Sequence, residues 1–63
     1  MLDHLSILKL AEKEQVNVVC QAAQEVYAAK IHKKREAAYF LISQIDALGE
    51  IKAEIEKLES EKA

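Results

Sequence analysis

Sixty-three residues with a formal net charge of −2, 51% hydrophobic and 32% charged, include one glycine, one cysteine and no proline. A single cysteine rules out an intrachain disulfide, and the apolar content is too high for a disordered tail. A chain this short buries only about 60% of its unfolded surface when it folds alone, so self-association is the expected source of the missing burial.

With the usual helix breakers absent, the chain reads as helix almost from end to end. The opening Met1-Leu2-Asp3-His4-Leu5 has neither the basic segment nor the apolar run of a secretory signal. The longest apolar run, Ala37 to Ile42, is far short of a membrane span. A free thiol and no targeting segment make the cytoplasm, or a host's cytoplasm, the expected location, with no membrane partner. The opening methionine fits a complete small reading frame.

The first helix start is marked by Asp3, a candidate N-cap, with Leu2 and Ile7 placed as the halves of a hydrophobic staple. From there Leu5, Leu8, Val16, Val19, Ala23 and Val26 recur at helical spacing, the stripe of an amphipathic helix. Between Val16 and Ile31 the apolar set widens to include Val18, Cys20, Ala22, Tyr27, Ala28 and Ala29, and Ala37 to Leu48 is similarly broad. One partner helix cannot cover so wide a stripe, so three or more helices are expected around each core, within the chain or between copies. Tyr27, Tyr39 and Phe40 lie in these broad segments and are expected to anchor the core, the alternative being a hot spot of Tyr39 and Phe40 for a foreign helix.

The last third narrows to Ile45, Leu48, Ile51, Ile55 and Leu58 at three-four spacing, flanked by glutamates and lysines from Glu50 onward. That is the pattern of a coiled-coil seam, expected to project as a two- or three-stranded end or to fray. The turn has three candidate positions. The polar stretch His32 to Glu36 divides the chain into nearly equal arms but contains no residue suited to positive φ. Asn17 and Gly49 are the residues most able to adopt that conformation, yet the apolar stripe runs straight through both. The expected fold is therefore all-α: long amphipathic helices in a helical hairpin, or alternatively one continuous rod about 90 Å long. Either form is expected to assemble into an oligomeric helical bundle or coiled coil, with residues 1–63 as one helical interaction domain.

Few residues suggest chemistry. His4, Cys20 and His32 are the soft metal-ligand candidates, but their spacing fits no zinc pattern, and Cys20 reads more simply as a small core residue beside Val19. Ser43 and Asp46 sit one turn apart without a base or an oxyanion-binding loop, and Ser43 is expected to bond back to a helix carbonyl. No catalytic, cofactor-binding or metal-binding residue is assigned, and an enzyme is not expected.

The strongest local charge is Lys30-Ile31-His32-Lys33-Lys34-Arg35-Glu36. On a continuous helix Lys30, Lys33 and Lys34 share one face that could follow a phosphate backbone, with Arg35 to one side. The acidic chain around them and the lack of interleaved aromatics favour a solvated face or turn instead.

The leading functional expectation is a non-enzymatic homo-oligomer that acts through protein contacts, as an adaptor, assembly factor or regulator, with another helical protein as a further candidate partner. Its self-association would use Leu5, Leu8, Val16, Val19, Ala23, Val26, Leu41, Ile45, Leu48, Ile51, Ile55 and Leu58. The alternatives are a nucleic-acid-binding regulator using Lys30, Lys33, Lys34 and Arg35, and a structural coiled-coil segment of a larger assembly such as a virion. In size and form the chain is similar to small plasmid and bacteriophage accessory proteins.

Overall fold

The computed structural model describes residues 3–62 and forms a helical hairpin. Helix α1 spans His4–Ala28 and α2 spans Ile31–Lys62. The molecule measures 48 × 20 × 11 Å, and its long axis is the length of a 32-residue helix at about 1.5 Å per residue. Its radius of gyration of 14.7 Å exceeds the roughly 10.6 Å expected of a compact chain of this length.

Helix α1 starts as the sequence predicts. Asp3 is extended, with φ −80° and ψ 173°, and its side chain accepts a hydrogen bond from the Ser6 amide at 2.8 Å. This satisfies one of the free amides of the first turn, a contribution of about 1 kcal/mol. Leu2, the other half of the expected staple with Ile7, lies outside the described residues.

Of the two architectures the sequence allows, the hairpin forms, but its turn lies at none of the three expected places. The break comes at Ala29 and Lys30, just before the polar stretch, while Asn17 and Gly49 sit inside unbroken helices. No positive φ is needed: Ala29 turns the chain in an extended conformation, φ −68° and ψ 144°. The Ala29 amide still donates to the Glu25 carbonyl at 2.8 Å, and the Lys33 amide donates to the Lys30 carbonyl at 2.8 Å. One helix therefore closes and the next opens across two residues, and the lack of a left-handed residue is no obstacle.

Folding back lets the two stripes meet. Along α1 the seam follows Leu5, Leu8, Glu12, Gln15, Val19, Ala22, Val26 and Ala29, an alternation of three and four, with Ser6, Ala11 and Val18 half-buried beside it. Along α2 it follows Ala37, Leu41, Gln44, Leu48, Ile51, Ile55 and Leu58 with the same alternation, and Ala38 and Ala47 are half-buried beside it. Gln15 and Gln44 fix the antiparallel register: the Gln15 side-chain amide donates to the Gln44 side-chain oxygen at 2.7 Å and to its backbone carbonyl at 3.1 Å. At the open end Leu5 and Leu58 line one shallow depression with Asp3 and His4. The carboxyl-terminal seam, expected to project or fray, lies instead against the first turn of α1.

Candidate interaction surfaces

Two helices pressed together enclose little. Among the described residues the buried apolar side chains are Ala22, 1% exposed, and Ile55, 6% exposed. Leu5, Leu8, Val19, Val26, Leu41, Leu48, Ile51 and Leu58 are half-buried on the seam. Most of the residues expected to join copies of the chain are thus used first within it. Val16, Ala23 and Ile45 are exposed and remain available to a partner.

The aromatic residues do not anchor the seam as expected. Tyr27 is 90% exposed, Tyr39 62% and Phe40 48%. The cause is the register, because the seam through Val26, Ala37 and Leu41 leaves Tyr27 and Tyr39 on the outer sides of their helices. Cys20 is exposed rather than packed beside Val19, for the same reason. Ser43 behaves as the sequence suggests, its hydroxyl donating to the Tyr39 carbonyl at 3.1 Å.

Part of the exposed apolar surface gathers on one side of the hairpin, while Ile7, Leu10, Tyr39 and Phe40 lie outside it. Both helices wind right-handed and they run in opposite directions, so the flank four residues on from the seam falls on the same side of the hairpin in each. On α1 that flank and its neighbouring row carry Val16, Cys20, Ala23 and Tyr27; on α2 they carry Ala38, Ile42, Ile45 and Gly49. The register set by Gln15 and Gln44 puts Val16 level with Ser43 and Ala23 level with Glu36, so Ile45 and Ala38 lie two residues, about 3 Å, along the axis from them, which makes one apolar face over the middle of the molecule. Lys9, Lys13 and Lys52 bound it toward the open end together with Glu56 and Glu59, and Lys30 and Arg35 bound it toward the turn. The opposite face carries Ala11, Val18, Phe40 and Ala47 as well, but in a more acidic frame: exposed Glu14, Glu25, Glu36, Glu50 and Glu54 outnumber Lys33 and Lys57.

The basic stretch occupies the tip. Lys30 precedes α2, so Lys30, Lys33 and Lys34 do not share one continuous helical face as a straight helix would give them. The Lys34 ammonium turns back to donate to the carbonyls of Val26, at 2.9 Å, and Tyr27, at 3.2 Å. A cation here meets the negative end of the α1 dipole and satisfies carbonyls that the helix itself leaves open. Lys30, His32, Lys33 and Arg35 remain exposed around Ile31, which is 88% exposed.

Sequence reasoning missed the Gln15–Gln44 pair. The signal was present: each interrupts an apolar seam, and the two are equidistant from the Ala29–Lys30 connection, so folding there brings them together. His4 and His32 lie at opposite ends of the hairpin with Cys20 between them, and among the described residues no three of His, Cys, Asp or Glu gather as metal ligands. No described helix is long and apolar enough to cross a membrane. Comparison with family models, with curated proteins and with solved structures found no match.

Proposed function

We propose that this chain is a non-enzymatic, homo-oligomeric interaction module, an adaptor, assembly factor or small regulator that works through helix-to-helix protein contacts. The observation that carries this reading is the imbalance of burial: large apolar side chains such as Ile42, Ile45, Tyr39 and Phe40 are exposed while only Ala22 and Ile55 among the described apolar residues are buried. A hairpin with so little interior gains the rest of its stability by adding helices from another molecule.

The test is solution mass by sedimentation equilibrium with small-angle scattering across micromolar concentrations. The expected result is a mass of more than one copy and a particle wider than one hairpin. Leu48→Asp should lower mass and helicity together, because it places an unpaired charge on the seam. A single-copy mass at every concentration, with helicity intact, would refute the proposal.

A second reading, a nucleic-acid-binding regulator, draws support from the exposure of Lys30, Lys33 and Arg35 together at the tip. It requires retardation of RNA or DNA in a gel at low salt, lost on Lys33→Glu and weakening steeply as salt rises. Absence of any shift at low salt removes it.

A further inference from the structure

A compact monomer of 7.1 kDa exposes about 4,100 Å² by the general scaling of surface with mass, whereas this hairpin exposes 5109 Å². The surplus of about 1,000 Å² is close to the roughly 800 Å² that each partner contributes to a standard protein interface. One further surface of ordinary size, covered once, brings the chain to the exposure of a compact protein.

The geometry points to the face carrying Val16, Ala23, Ala38, Ile42 and Ile45 as the surface on which a second copy of this chain docks, making a four-helix bundle of two hairpins. This inference rests on the homo-oligomeric reading above and names its surface. Three observations converge on that face and that occupant. The face is continuous across both helices, so a partner packing on it touches α1 and α2 together and encloses a core between four helices. Its small residues, Ala23, Ala38 and Gly49, lie among the branched Val16, Ile42 and Ile45, a relief in which the projections of one copy can enter the depressions of another. Charge disfavours the other choice: the opposite side also carries Ala11, Val18, Phe40 and Ala47, but Glu14, Glu25, Glu36, Glu50 and Glu54 surround them, and stacking that side would bring the carboxylates of two copies near one another.

The lysines at the ends of the face do not prevent docking. Lys9, Lys13 and Lys52 can lay aliphatic stems along its margin and keep their ammonium groups in water. A two-fold arrangement needs only one self-complementary patch, which a single hairpin supplies.

The test compares substitutions matched for exposure but not for side. Ile45 and Phe40 are each 48% exposed, and Ile42 and Ile7 are 53% and 51% exposed. Ile45 and Ile42 belong to the apolar face; Phe40 flanks the seam on the acidic side, and Ile7 lies on the outer surface of α1. Sedimentation equilibrium of the full chain should give a two-copy mass. Ile45→Glu and Ile42→Glu should each raise the dissociation constant by about 30-fold or more, as loss of a central contact does. Phe40→Glu and Ile7→Glu should leave it nearly unchanged.

A second measurement needs no variant. The Cys20 thiol borders the face and is exposed in the single hairpin, so its alkylation by iodoacetamide should slow as concentration rises through the range in which the mass doubles. This keeps the inference testable if the glutamate variants fail to fold. Equal loss of association from both members of either pair, or an alkylation rate that stays constant while the mass doubles, overturns the assignment of this face and leaves the homo-oligomeric reading standing. A mass of three or more copies overturns the two-hairpin bundle in the same way. A wild-type chain that stays a single copy refutes both.

Discussion

At the open end of the hairpin the seam is built from Leu5, Leu8, Leu48, Ile51, Ile55 and Leu58, whereas near the turn Val19, Val26 and Leu41 alternate with Ala22, Ala29 and Ala37. The two ends differ in how much aliphatic surface they enclose. Large aliphatic side chains at the open end gain stability by leaving water, at about 25 cal/mol for each Å² covered. Near the turn the alanines have little surface to bury, and their contribution is to let the backbones approach closely enough for a two-residue connection. Ala22, level with Ala37 in the register set by Gln15 and Gln44, is the most buried of the described apolar residues. Between the ends stands the glutamine pair, which adds less burial than a leucine pair would but penalises any slip of the helices by leaving its own polar groups unpaired.

The contrast breaks first at the open end. Ile55→Asp would put an unpaired carboxylate at a position only 6% exposed, and the expected outcome is loss of the helical circular-dichroism signal at neutral pH. Ile55→Ala is the milder form, with an expected loss of about 2–5 kcal/mol in chemical denaturation. That is a large part of the roughly 3–9 kcal/mol that a domain of this size has in total. If Ile55→Ala unfolds at the same denaturant concentration as the unaltered chain, the large aliphatic residues are not what holds the open end.

The turn end should fail in the opposite direction, by enlargement rather than truncation. Ala22→Leu forces extra volume into the most buried apolar position among the described residues, and the expected cost is about 1–3 kcal/mol, read as a lower melting temperature. Ala53→Leu adds the same volume on the exposed outer surface of α2 and should leave the melting temperature nearly unchanged. Equal shifts from the two variants would mean that helix spacing near the turn is not set by small residues.

The same division explains what could be read in the sequence. Asp3 was legible because capping is local: a short polar side chain before an apolar run satisfies an amide three residues on, whatever the rest of the chain does. Gly49 was one of three candidate turns and lies inside α2: an unbroken seam on both sides outweighs a single residue's backbone freedom, and a Cβ there would meet nothing within 4 Å. The turn at Ala29 and Lys30 was not legible. Neither residue carries a breaking signal, and the extended conformation of Ala29 is favoured by the packing it permits between residues far apart in sequence. Tyr27 and Cys20 were misplaced as a consequence, because the row of a wide stripe that faces inward is decided by the register, and a non-local pair of glutamines decides that. The apolar face now assigned to a second copy was visible only as excess width in the stripe; the antiparallel winding gave it a side.

The smallest expected effect concerns Lys34, whose ammonium reaches from the first turn of α2 to the Val26 and Tyr27 carbonyls. Helix α1 has no basic residue in its own last turn, so the cation that complements its dipole comes from the partner helix. Lys34→Met keeps most of the stem and removes the charge and the donors. The expected loss is up to about 1 kcal/mol, and it should shrink as added salt screens the exposed site. Amide hydrogen exchange separates this local role from a global one. Protection should fall at Tyr27, Ala28 and Ala29, whose amides close the last turn of α1, and should hold around Ile55, where the aliphatic seam is untouched. A uniform loss of protection along both helices would show that the turn end and the open end open together, and that the difference between them is one of composition without a difference in stability.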